Sequence, residues 1–256
     1  MNALLLRLEA PLVASGGPMV DARGPTRLFP GLAMLTGLLA NALGWRHGDA
    51  DLLEGLQRRL RFATALVRLG GVLTDYQTVD LGRPHMLGSR GWTTRGRLEG
   101  RGGASGEGTH IRFREHLADA LLLVALRLDP EAETPTLDDL ARALDRPARP
   151  LFLGRKPCLP SAPLLSRPPF AAESLGEALR IGLTELGEPR PRRGSDDGIA
   201  VELPADEPLG PLRPIGEADE REALVDQRDW RNQVHAGERL VRRAYLPWPA
   251  NEELPT

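Results

Sequence analysis

Lysine is almost missing from this chain. Of its 33 basic side chains only Lys156 is lysine, and arginine supplies the rest. The basic surface therefore consists of planar guanidinium forks, which match phosphate and carboxylate oxygens in pairs. Cysteine is as scarce: Cys158 stands alone, which excludes a disulfide framework. Aromatic residues make up 4% of the chain. No apolar run approaches the ~18 residues of a membrane span. The best one, residues 117–126, is short and carries Asp119. Arg7 and Glu9 interrupt the apolar start, so no secretory signal is read there. A soluble, cytoplasmic protein without membrane contact is expected. The five histidines, at 47, 85, 110, 116 and 235, show no close pairing, and no HExxH or CxxC spacing exists. Neither a GxxxxGK[ST] phosphate loop nor a GxSxG elbow is present. No metal and no cofactor are expected, and the case for catalysis is weakened.

The 256 residues are 41% hydrophobic, enough to bury a core. Glycine (28) and proline (23) are abundant, which favours turns and long loops over a helical bundle. The formal charge of −2 hides a strong asymmetry. Residues 81–114 hold seven arginines against two glutamates, a net of +5, whereas residues 170–222 hold thirteen acids against six arginines, a net of −7. The first stretch suits a polyanion and the second does not.

Residues 3–8 read as a buried strand, followed by a Gly/Pro-rich loop over 11–30. Leu32, Leu35, Leu38, Leu39, Ala42 and Leu43 recur at helical spacing until Gly44. A second short helix, capped by Asp49 or Asp51, runs to about Leu60. Strands at 62–69 and 72–79 flank Gly70-Gly71, a hairpin signal. Nine glycines then fall between residues 81 and 109, where periodicity is lost. Strand-like sequence resumes over 111–128 with a break near Asp119. Thr136 and Asp139 form a capping box for a helix that ends before Pro147. A helix over 174–181 and strands over 199–203 and 239–246 follow. The order strand, helix, strands, excursion, strand, helix, strand approximates a split βαβ, ferredoxin-like α+β fold.

Three segments suit an anionic polymer. The 81–114 excursion mixes Arg83, Arg90, Arg95, Arg97 and Arg112 with Met86, Leu87 and Trp92, pairing guanidinium groups for phosphates with side chains that stack on or wedge beside bases. Arg27 precedes a helix entrance, where free N–H groups and the dipole favour anions. Gly154, Arg155 and Lys156 form a basic turn whose glycine permits close backbone approach. Each also has a plainer reading: a solvated loop, a shaped helix entrance, a basic surface turn. Tyr76 is offered for stacking or for core packing, and Trp230 and Trp248 fit packing roles.

Five segments occur in a telling order: Leu6-Arg-Leu-Glu-Ala-Pro-Leu12, Phe29-Pro-Gly to Leu43-Gly44, Asp75-Tyr-Gln-Thr-Val79, Arg114-Glu-His-Leu-Ala-Asp-Ala120 and Pro150-Leu-Phe-Leu-Gly-Arg-Lys-Pro-Cys158. Together they resemble the CasD subunit family of type I-E CRISPR Cascade complexes, in the RAMP superfamily. The resemblance covers residues 3–165 well and continues weakly beyond. It implies an RRM-like palm over residues 1–155, including a thumb at about 81–114, and a smaller β-rich C-terminal region over 156–256. It further implies a non-catalytic subunit that holds the 5′ handle of the CRISPR RNA, contacts the large and backbone subunits, and meets target DNA through the assembled complex. By matched segment, Arg27, Tyr76, Gln77, Thr78, Val79, Gly154, Arg155 and Lys156 would line the handle pocket. Two alternatives stand beside this. One is a metal-independent endoribonuclease that processes precursor RNA with Tyr76, Lys156 and His85 or His116. The other is a generic RRM-like RNA-binding domain.

Overall fold

The computed structural model describes residues 1–17, 19, 21–80, 90–92, 98–100, 109–187, 198–215 and 220–248, with backbone alone for 79–80, 90–92, 98–100 and 109. In chain order the elements are β1 (Asn2–Val13), β2 (Arg23–Gly24), α1 (Leu32–Ala42), α2 (Ala50–Arg59), β3 (Leu60–Arg68), β4 (Gly71–Asp80), β5 (Arg90–Trp92), β6 (Leu98–Gly100) and β7 (Thr109–Leu128). They continue with α3 (Leu137–Asp145), β8 (Leu165–Ala171), α4 (Leu175–Leu186), β9 (Ile199–Pro204), β10 (Arg213–Pro214), β11 (Arg221–Leu224), β12 (Arg228–Asp229), β13 (Val234–His235) and β14 (Arg239–Leu246). The mixed α+β class expected from the sequence is the one found. None of the described helices is long and apolar enough to cross a membrane.

The main sheet runs β10-β14-β9-β3-β7-β1-β8. At its centre β7 lies antiparallel between β1 and β3, and β8 lies antiparallel on the far side of β1. That is the split βαβ order, and the sheet continues through β9 and β14 without a break. Alternation sends Leu122, Val124 and Leu126 to one face and Leu121, Leu123 and Ala125 to the other. The first face packs under α1, α2 and α3, and the second, which the inner residues of β9 continue along the sheet, packs under α4. The long apolar run is therefore a central strand covered on both faces, with each leucine contributing roughly 1.5–3 kcal/mol of burial.

Gly70-Gly71 does not close a hairpin, contrary to the local signal. β3 pairs with residues 121–128 of β7 and β4 with residues 109–118, so the two lie end to end along one edge of the same strand. Gly70 N–H donates to the Ala118 carbonyl at 3.0 Å, beside Asp119, whose φ of 46° marks the expected break. Twenty residues of β7 can satisfy the backbone of both partners, whereas a β3–β4 hairpin would leave half of β7 unpaired. The actual hairpin is β4–β7, spanning the glycine-rich excursion. Within that excursion, β5 and β6 pair antiparallel.

Helix ends follow their sequence signals with two exceptions, one being that α4 continues past the expected end at 181 to Leu186, where Gly187 at φ 64° stops it. Thr136 Oγ1 accepts from Asp139 N–H at 3.2 Å while Asp139 Oδ2 accepts from Thr136 N–H at 2.8 Å, the expected capping box. The Thr136 N–H and then its hydroxyl, both donating to Asp139 Oδ2, hold that carboxyl below its ordinary range. Ser174 caps α4. Asp49 stands at the N-cap of α2, but its carboxylate turns back to Arg46 N–H at 2.7 Å and does not cap.

Candidate nucleic-acid interface

Toward its N-terminal end β7 outruns the sheet. Pairing with β1 stops at Val13↔Leu117, and beyond it, among the described residues, the two residues of β2 run alongside on that edge. Side chains that would be core further along are therefore left at the surface. Tyr76 is 56% exposed and Phe113, its partner across the ladder, 36%. The two rings meet edge to face with centroids 5.4 Å apart. Val72 and Ile111 extend this exposed apolar surface. The Arg23 guanidinium lies 5.8 Å from the centre of the Phe113 ring. Arg112 stands opposite Gln77, and Arg114 opposite Asp75.

The 153–158 turn is seated against this ribbon. Leu153 and Cys158 are buried, and Leu153 N–H donates to the Cys158 carbonyl at 2.8 Å. Burial pushes the Cys158 thiol up from its ordinary range. Gly154 has φ +97°, and a Cβ built there would lie 1.8 Å from the Ala14 carbonyl oxygen. Only glycine permits that approach. The Arg155 side chain turns inward: Nη1 donates to the Glu115 carbonyl at 2.6 Å and Nη2 to the Gly24 carbonyl at 3.1 Å, with His116 Nε2 3.4 Å from Nη1. Burial, and then the neighbouring Arg114, lowers the Arg155 pKa. Lys156, next in the chain, is exposed.

The helix entrance is joined to the same framework. Ser15 N–H donates to Thr26 Oγ1 at 3.0 Å, Arg27 N–H to the Gly16 carbonyl at 2.9 Å, and Thr26 N–H to Glu115 Oε2 at 3.2 Å. The N-terminus of α1, expected to be open to an anion, is already closed by Asp226. The Asp226 carboxylate accepts from Leu32 N–H at 3.1 Å and its backbone carbonyl from Ala33 N–H at 3.0 Å. The Arg27 guanidinium turns to Glu202, 3.5 Å away. Glu202 is 2% exposed. Burial raises its pKa against the opposing pull of Arg239 and Arg27.

Three predicted segments thus converge on residues 109–116 of β7, but with different functions. Tyr76 and Thr78 are exposed on β4, Gln77 donates to the Asp75 carboxylate, and Val79 pairs with His110. Lys156 is presented outward, whereas Arg27 and Arg155 are engaged by protein groups. Arg90 and Trp92 lie on β5. Arg83, Met86, Leu87, His85, Arg95 and Arg97 lie outside the described residues. Sequence reasoning missed Arg23 and Phe113. Arg112-Phe-Arg114 alternates as a half-buried strand does, so the sequence alone marks Phe113 for the core and gives no signal of its exposure. Among the described residues, Arg23, Arg112, Arg114 and Lys156 form no ion pair with a carboxylate.

Among the described residues, Tyr76 and His116 are not brought together. Tyr76 pairs with Phe113, and His116 lies three residues further along the same regular ladder, so the two side chains leave opposite faces. His116 is 2% exposed behind Arg155. Burial, then the Arg155 charge, lowers its pKa. A separate cleft of about 480 Å³ opens where β9 leaves β3, lined by Arg58, Arg61, Phe62 and Arg239 among others. None of the described residues predicted to bind RNA lines it.

The chain matches the family model described as CRISPR-associated protein (Cas_Cas5) over residues 3–242. It is 34% identical over 162 residues to the CRISPR system Cascade subunit CasD of Escherichia coli (strain K12), covering 63% of this chain and 68% of that protein. A chain of a solved CRISPR RNA-guided surveillance complex superposes with a TM-score of 0.65 at 24% identity, over 98% of this chain and 95% of the other. A crystal structure of a Cas protein superposes with a TM-score of 0.60 at 27% identity, over 99% and 97%.

Proposed function

The chain belongs to the Cas5 family of CRISPR-associated proteins, and from that premise we propose that it is a non-catalytic subunit of a Cascade-type surveillance complex, holding the 5′ handle of the CRISPR RNA. Kinship with a Cascade subunit supports assembly with large and backbone subunits and, through them, contact with target DNA. The observation that carries the RNA-binding reading is the Tyr76–Phe113 pair, left exposed at the base of the β4–β7 hairpin. Arg23 lies over the Phe113 ring, Arg112 and Arg114 leave the opposite face of the same ribbon, and neither these three nor exposed Lys156 has a carboxylate partner among the described residues. Aromatic faces stack on unpaired bases, and guanidinium and ammonium groups without carboxylate partners neutralise the backbone between them. The arginines and Trp92 of the excursion extend the same chemistry in sequence.

The separation of Tyr76 from His116 favours holding over cutting. In-line attack by a ribose 2′-OH needs a base and a cation at one phosphate, and these two side chains face apart. The test is binding of repeat-derived RNA to the purified chain. RNA with the handle should be retained, and Tyr76→Ala with Phe113→Ala should release it. Equal retention by that double variant would reject this surface.

A further inference from the structure

Gly154, Arg155 and Lys156 look alike in sequence as a basic turn, but the geometry divides their work. We infer that Arg155 is a positioning residue of the RNA surface and does not touch phosphate, while Lys156 is the cation this turn offers to the ligand. The inference rests on the function proposed above and concerns how that surface is built.

Arg155 is the joint at which three segments meet. Its two Nη atoms reach carbonyls on different strands, Gly24 of β2 at 3.1 Å and Glu115 of β7 at 2.6 Å. Its own turn is held to the end of β1 by Ala14 N–H donating to the Leu153 carbonyl at 3.0 Å, and by Gly154 against the Ala14 backbone. β2 carries Arg23, which lies over Phe113, and β7 carries Phe113 and Arg112. The guanidinium thus fixes the spacing between Arg23, the Tyr76–Phe113 pair and Lys156. A lysine cannot replace it, because one ammonium on a flexible stem does not span two divergent carbonyls. With both outer nitrogens engaged and the group half-buried, the Arg155 charge is a poor phosphate ligand. Lys156 is exposed and has no ion pair among the described residues.

The test compares three full-length variants, Arg155→Met, Arg155→Lys and Lys156→Met, by the affinity of single-stranded handle RNA across a salt series. Both Arg155 variants should weaken binding by about tenfold while keeping the parental slope of log affinity against log salt. Lys156→Met should make that slope shallower by about 0.7, because one phosphate is no longer neutralised by the protein. A shallower slope in Arg155→Met, or parental affinity in Arg155→Lys, would overturn the inference. Hydrogen exchange on the free protein separates this outcome from failure of the functional reading. Amides of Ala14 and Phe113, which bond to Leu153 and Ala22, should exchange faster in Arg155→Met than in the parent. Unchanged exchange would overturn the positioning role even if the parent bound no RNA. Faster exchange in a chain without RNA affinity would uphold Arg155 as the joint and reject its assignment to an RNA surface.

Discussion

Asp226 closes the N-terminus of α1 across 194 residues of sequence: its Oδ2 accepts from Leu32 N–H at 3.1 Å and from Arg239 Nε at 2.8 Å. One carboxylate therefore satisfies a helix donor and neutralises an arginine that is only 12% exposed. Gly31 at the N-cap has no side chain to offer, so the cap comes from elsewhere in the fold.

Removing that carboxylate should destabilise the protein strongly. Asp226→Ala leaves Leu32 N–H unpaired and Arg239 with Glu202 as its one carboxylate partner among the described residues. The expected loss is roughly 3 kcal/mol, typical of removing one partner of a buried pair. Urea unfolding followed by circular dichroism measures it. A loss below about 1 kcal/mol would mean that the helix end is held in another way.

Two glycines should respond in opposite directions. Gly154→Ala places a methyl group against the Ala14 carbonyl at a φ of +97°, so the thermal midpoint should fall by several degrees. Gly55 lies within α2 with nothing near its Cβ position, so Gly55→Ala should stabilise by about 0.5–1 kcal/mol. A parental midpoint for Gly154→Ala would contradict the close approach of this turn to β1.

Stability should also depend on His116. Its folded pKa is lowered by burial and by Arg155, so the folded chain holds this proton less tightly than the unfolded chain does. The stabilising contribution is complete above the ordinary value of 6.5 and is lost as the pH falls through the lower, folded value. Urea midpoints should decline with acidification through that window in the parent and decline less in His116→Gln. Parallel curves for the two proteins would refute the assignment.

Much of this was legible in the sequence wherever a signal is local. The Thr136–Asp139 box, the helical repeat from Leu32 and the strands around Leu123 and Val201 follow from spacing and apolar alternation. What was not legible depends on distant partners. Gly70-Gly71 carries a hairpin signal, but the pairing of β4 is decided by the length of β7. Arg27 and the α1 entrance look free until Glu202 and Asp226 are brought to them by the C-terminal strands. Arg155 looks like a surface cation until the carbonyls of Gly24 and Glu115 arrive. Phe113 is exposed because β1 stops pairing at Val13, a fact of register that composition does not encode.

The central claim is that this chain holds its guide RNA on the Tyr76–Phe113 surface without cutting it. The most direct measurement incubates the purified protein with repeat-derived RNA in EDTA and analyses each sample twice, on a native gel for binding and on a denaturing gel for cleavage. The account predicts a shifted, intact RNA, with the shift lost in Tyr76→Ala combined with Phe113→Ala; each stacked base is worth about 1–3 kcal/mol. Cleavage at the handle boundary that disappears in Tyr76→Phe, or a shift that survives the double substitution, would contradict it.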